Sequence, residues 1–130
     1  MWRILWGVTL FTFILGGCQS NDIEEVVNKH NDIKNLDVLN TFVENVNDQR
    51  DAVINYVEYG EEGQRGVKTI TSKDGIVKVS HRVDGKFIEE FTCKKLNIEM
   101  KNEVNSYLLK QCYGDFEGDI ELLSTKNLDE

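Results

Sequence analysis

Apolar residues fall along this chain in three regimes. Ile4 to Leu15 reads ILWGVTLFTFIL, a run without a single charge. From Ile23 onward the apolar positions are Ile23, Val26, Val27, Ile33, Leu36, Leu39, Phe42, Val43 and Val46, and their intervals of three and four predict helix. Asn31-Asp32 and Asn35 interrupt that pattern with residues that favour caps and turns. Two helices are therefore expected, the second beginning near Val38 with Asp37 as its cap. His30 would close the first, where an imidazolium meets the negative end of the helix dipole, and that reading outweighs a catalytic His30.

After Asn47-Asp48-Gln49-Arg50 the period changes to two. Ala52 to Tyr59 (AVINYVEY) is rich in β-branched and aromatic residues, and Gly60-Glu61-Glu62-Gly63 ends it as a turn. Gly66 to Ser72 and Ile76 to Val83 are further strands; in the latter Val77, Val79, His81 and Val83 alternate with Lys78, Ser80 and Arg82. Asp74-Gly75 and Asp84-Gly85 separate these strands and Phe87 to Cys93, and an Asp-Gly pair between alternating runs is the strongest short-range hairpin signal. Leu96 to Asn105 is ambiguous, with strand-like alternation broken by turn-favouring Asn. Tyr107 to Cys112 and Ile120 to Leu123 read as two short strands. The expected fold class is α+β: one or two N-terminal helices packed on one face of a mostly antiparallel sheet of five or six strands.

The first regime is not part of that fold. Met1-Trp2-Arg3 supplies a positive start, the apolar run has signal-peptide length, and a spanning helix would need about 20 apolar residues. Leu15-Gly16-Gly17-Cys18 follows at once, and this resembles the lipobox of bacterial lipoproteins. The resemblance implies cleavage between Gly17 and Cys18, a thioether-linked diacylglycerol on Cys18 and further acylation, as by palmitate, of the new amine. Two acyl chains hold a protein on a membrane where one is marginal. The expected organisation is a signal peptide over 1–17, a lipidated tether over 18–22, a single domain over 23–124 and a flexible tail over 125–130. The domain would then sit lipid-anchored on the extracytoplasmic face of the cell membrane.

Removing residues 1–17 from the 130 leaves 113, enough for one modest core, and the net charge of −8 becomes −9 once Arg3 is lost. So acidic a surface repels phosphates, which argues against a nucleic-acid partner. Of three cysteines, acylation of Cys18 leaves Cys93 and Cys112, an even pair in an oxidising compartment. A disulfide is expected ahead of free thiols. A metal site is weaker still, because neither cysteine has a His or a second Cys at ligand spacing, and no cofactor is implied.

A second resemblance covers Asp22 to Cys112. Val26-Val27-Asn28-Lys29-His30, Ile33-Lys34-Asn35-Leu36, Phe42-Val43-Glu44-Asn45-Val46, Glu62-Gly63, Asp84-Gly85 and Tyr107-Leu108-Leu109 before Cys112 occur in an order similar to that of a family of small Gram-positive lipoproteins whose domain has no assigned function. The family usually carries Gly after the His of the first helix, where this chain has Asn31. Asn also tolerates positive φ, so a helix stop is expected there.

No catalytic constellation is complete. His30 and His81 are the only histidines, no Gly-x-Ser-x-Gly elbow accompanies them, and Glu89 and Glu90, adjacent on a strand, point to opposite faces. The expected function is non-enzymatic: display of a domain that binds a protein or cell-envelope partner, with Tyr56, Tyr59 and Tyr107 as anchors if exposed. An accessory subunit or inhibitor of an envelope enzyme is the alternative. A small envelope hydrolase using His81 with a carboxylate is the third, and it requires a cleft that holds both.

Overall fold

In the computed structural model, which describes residues 23–126, the chain opens with a β-hairpin where the first helix was expected. Strand β1 (Glu25–Lys29) pairs antiparallel with β2 (Asp32–Lys34), and the turn between them holds His30 at φ 53° and Asn31 at φ 71°. Paired positive φ is the signature of a two-residue type I′ turn. Asn31 does adopt positive φ, but it turns a strand and does not stop a helix. The apolar spacing misled because the inward positions of β1 are Val26 and Asn28, both buried, and a buried Asn conceals a period of two.

The second expected helix forms as α1 (Leu36–Asn47), two residues earlier than Val38. Asn35 is its N-cap residue at φ 63°, yet its side chain does not cap; Asn35 Nδ2 donates to the Glu25 carbonyl at 3.0 Å. Asp37 lies in the first turn, where a carboxylate favours the positive end of the dipole. Leu39, Phe42, Val43 and Val46 form the buried stripe, which lies against β3, β6, β1 and β4.

Six strands follow as a meander: β3 (Ala52–Tyr59), β4 (Arg65–Lys73), β5 (Ile76–Val83), β6 (Lys86–Lys101), β7 (Val104–Gly114) and β8 (Gly118–Lys126). Asp74-Gly75 and Asp84-Gly85 are both two-residue turns with positive φ throughout, as their sequence predicts. The ambiguous stretch from Leu96 resolves into the second half of β6, a turn at Asn102-Glu103 and the start of β7. Glu103 at φ 64° is an unusual residue for such a turn, which is why the hairpin was hard to read. β8 continues through Lys126, two residues beyond the expected domain end.

The sheet order is β2-β1-β3-β4-β5-β6-β7-β8. Only β1 and β3 are parallel, and β2 with α1 forms the crossover such a pair requires. The fold class is thus corrected: the described residues are mostly β, a single curled eight-stranded sheet with one helix, and not one or two helices on five or six strands. The curl brings both edges to a common cavity, lined by Ile33 of β2 and Ser124 and Thr125 of β8 together with Leu36 and Val104. On the concave side α1 shares one core with Ile54, Tyr56, Ile70, Val77, Val79, Phe91, Leu96, Tyr107 and Leu109.

Cys93 and Cys112 occupy directly paired positions on β6 and β7, with Cα atoms 3.9 Å apart, and are joined by a disulfide buried in this core. On β7 Gln111 takes positive φ (56°), which shifts the alternation so that Cys112 faces inward after Tyr107 and Leu109. Among the described residues no helix is long and apolar enough to cross a membrane.

Candidate functional site

Beyond the region that α1 covers, the inner face of β3, β4 and β5 forms a small grid. Tyr56, Lys68 and His81 are paired across the three strands in one row, and Glu58, Gly66 and Val83 in the next. Gly66 has no side chain, so the centre of the second row is a depression. A cavity of about 330 Å³ lies there, bounded also by Tyr59, Gly60 and Gln64 of the β3–β4 connection. Its size is at the low end of small-ligand sites.

The connection is fixed by its own backbone. Gly60 N–H donates to the Gln64 carbonyl at 2.9 Å and Gly63 N–H to the Gly60 carbonyl at 3.0 Å, with Gly63 at φ 84°. Arg65 N–H donates to Asp84 Oδ1 at 3.0 Å, and Asp84 N–H returns a bond to the Arg65 carbonyl at 2.9 Å. This reciprocal clamp holds the first residues of β4 against the β5–β6 turn.

Tyr56 is set from behind. Asn28 Nδ2 donates to its hydroxyl at 3.1 Å, while Asn28 Oδ1 accepts from Asn31 N–H at 3.0 Å, so the β1–β2 turn orients the Asn that orients the Tyr. Burial pushes the Tyr56 pKa up to about 12; the Asn28 bond opposes this and the Glu58 charge adds to it. Tyr59 lies under the Lys29 ammonium, 5.8 Å from the ring centre.

His81 is neutral near pH 7. Burial lowers its pKa below 6.5 and the Lys68 charge lowers it further, while Glu89 and Glu58 oppose the shift. Its Nδ1 is buried without a hydrogen bond, the one such side-chain atom among the described residues. Glu89 Oε1 is 3.9 Å from Nδ1, too far for a hydrogen bond, and a neutral ring makes no ion pair with it. The other edge of the ring fronts the cavity: a Cβ placed on Gly66 would lie 3.6 Å from Nε2. Glu89 and Glu90 do fall on opposite faces, Glu90 reaching Lys78 at 3.0 Å on the outer side. Glu58 and Lys68 form no ion pair with each other or with another described residue.

Of the three tyrosines that would serve as anchors if exposed, two are buried. Tyr56 and Tyr107 are 1% and 2% exposed, so neither presents a ring to a partner. Tyr107 donates its hydroxyl to Asn40 of α1 and joins the core. Tyr59 is half-buried and, with Tyr56, borders the cavity. The exposed aromatic surface is instead Phe87 on β6 and Tyr113 on β7. Cys18, expected to be lipidated, lies outside the described residues. No group of three or more His, Cys, Asp or Glu positioned for a metal ion occurs among the described residues.

Sequence reasoning isolated His81 but not its neighbours. Lys68 and Glu58 stand on different strands, and only the β3–β4 register places them around the same glycine. The visible signal was Gly66 itself, at the start of an otherwise β-branched strand.

Comparison with known proteins agrees with the second resemblance in its coarse form. The model of a family described as a domain of unknown function (DUF4362) matches residues 23–108, and the chain belongs to that family. No curated protein and no solved structure matches the chain. The matched segment contains every residue of the grid.

Proposed function

We propose that this DUF4362 protein is a lipid-anchored binding module: Cys18 carries diacylglycerol, the domain is held on the outer face of the cytoplasmic membrane, and a small ligand from the envelope occupies the cavity over Gly66. The observation that carries the binding assignment is the grid itself. Two oppositely charged side chains, without an ion-pair partner among the described residues, and a neutral imidazole converge on a depression that the missing Gly66 side chain leaves open. Convergent polar groups in a preformed cavity of this size are what a ligand site requires.

Chemistry is disfavoured at the same place. The cavity holds His81 with a carboxylate, Glu58, as a hydrolase would require, but such an enzyme would also need a nucleophile beside the imidazole, and the cavity is bordered by no Ser, Thr or Cys. Tyr56 keeps its proton to about pH 12, which makes it a poor nucleophile. A second reading, an accessory subunit, is favoured by Phe87 and Ile88. These residues are 55% and 52% exposed beside the β5–β6 turn, where a partner protein could cover them.

Two experiments test the proposal. Cys18→Ser should abolish incorporation of labelled fatty acid and move the protein from the membrane fraction to the soluble one; unchanged labelling refutes the anchor. For the cavity, the full chain in detergent is incubated with a small-molecule extract of the cell envelope and the retained mass read by native mass spectrometry. Gly66→Leu fills the depression without backbone strain, because Gly66 does not occupy the positive-φ region. It should abolish retention while leaving circular dichroism unchanged. Equal retention by Gly66→Leu and the parent refutes the cavity as the site.

A further inference from the structure

We infer that the cavity takes a small zwitterion, an amino acid with both a free amine and a free carboxylate. This rests on the cavity being the binding site, and specifies its ligand.

Size sets the first limit. About 330 Å³ corresponds to roughly ten water-sized non-hydrogen atoms, which suits a single amino acid and excludes full enclosure of a glycan chain or a lipid. Charge sets the second. Glu58 and Lys68 are diagonal neighbours on adjacent strands, because Glu58 opposes Gly66 while Lys68 opposes Tyr56. Such positions are about 7–8 Å apart at the backbone, a span that admits a ligand group between the two side chains. A simple anion would satisfy Lys68 but face the Glu58 carboxylate, and a simple cation would do the reverse. Only a ligand with one charge of each sign satisfies both.

The imidazole adds direction. Nδ1 is the edge nearest Glu89, at 3.9 Å, so the proton of the neutral ring is best placed on Nδ1, toward the carboxylate. Nε2 then carries the lone pair and fronts the space above Gly66. Glu58 and His81 Nε2 therefore offer two acceptors to the ligand ammonium, and the Lys68 ammonium is left for its carboxylate. Lys68 cannot serve the amine, and Glu58 cannot serve the acid. Val83 provides an apolar wall for the ligand side chain.

Isothermal titration of the full chain in detergent with each free L-amino acid, and with the N-acetyl and carboxamide forms of the best binder, tests this. At least one free amino acid should bind with Kd of about 1 mM or tighter. Blocking either end should weaken binding about tenfold or more, as should Glu58→Gln and Lys68→Met in the parent. The pairing is specific: N-acetylation should cost little further affinity in Glu58→Gln, and amidation little further in Lys68→Met. The inference is overturned if no free amino acid binds, or if blocked forms bind as tightly as free ones. It is also overturned, while the cavity remains the site, if the envelope extract yields a Gly66-dependent ligand lacking one of the two charges. Loss of all Gly66-dependent retention overturns both readings.

Discussion

Lys68 and His81 oppose each other across β4 and β5, and burial, reinforced by the Lys68 charge, holds the imidazole neutral beside the cavity. The consequence is a pH dependence with a definite sign. The folded-state pKa of His81 lies below 6.5, so the unfolded chain binds the proton more readily. Stability from this group is present above pH 6.5 and is lost as pH falls through the folded pKa. Thermal unfolding should show a falling Tm on acidification below pH 6.5, and His81→Gln should flatten that part of the profile relative to the parent. Lys68→Met should also flatten it, since it removes the second cause of the shift. Parallel profiles for parent and His81→Gln would contradict the assignment.

Tyr56 titrates in the opposite direction. Its pKa of about 12 lies above the ordinary 10, so its contribution to stability is full below pH 10 and lost as pH rises toward 12. Burial also raises Tyr107. Ultraviolet titration should therefore show a late tyrosinate phase beyond pH 10, and Tyr56→Phe should remove the component near pH 12. Ionisation of all four tyrosines in one step near pH 10 would be inconsistent with two of them being held in the core.

The Asn28–Tyr56 bond links the β1–β2 turn to the cavity wall. Asn28→Ala leaves the Tyr56 hydroxyl without its donor and Asn31 N–H without its acceptor, at a cost of about 1–3 kcal/mol. Chemical denaturation should register that loss. Tyr56→Phe should itself destabilise, and the double variant should lose less than the two single losses combined, because both remove the same bond.

Cys93 and Cys112 are separated by 19 residues in sequence. In the chain-entropy model, closing such a loop stabilises by about 3 kcal/mol, so replacing both with Ala should lower the unfolding free energy from chemical denaturation by about that amount. Both sulfurs are buried, and alkylating reagent without reductant should leave the two residues unmodified. Mass measurement showing added alkyl groups on either would mean the bond is absent from the isolated protein.

The single reading that failed most clearly concerns residues 23–35. Val26 and Val27 satisfy helical spacing, and five residues are too few to tell a strand from a helix. What makes them a strand is β3, more than twenty residues later, against which β1 lies parallel. The inward position that would have exposed the period of two is Asn28, whose burial is tolerated only because Tyr56 and Asn31 bond to it. Local pattern carries no trace of a partner so distant.

By itself the sequence determined α1, whose four-residue apolar stripe is helical over twelve positions, and the β4–β5–β6 meander, whose Asp-Gly turns fix the register locally. It also singled out Cys93 and Cys112 as a pair. Tertiary structure alone decided that the described residues form eight strands, that the sheet curls around α1, and that Glu58, Lys68 and His81 surround Gly66. The physical reason is the same in each case. Helix spacing and two-residue turns are written in neighbouring residues, whereas strand pairing joins backbone groups far apart in the chain. Which side chains meet across a sheet follows from that register.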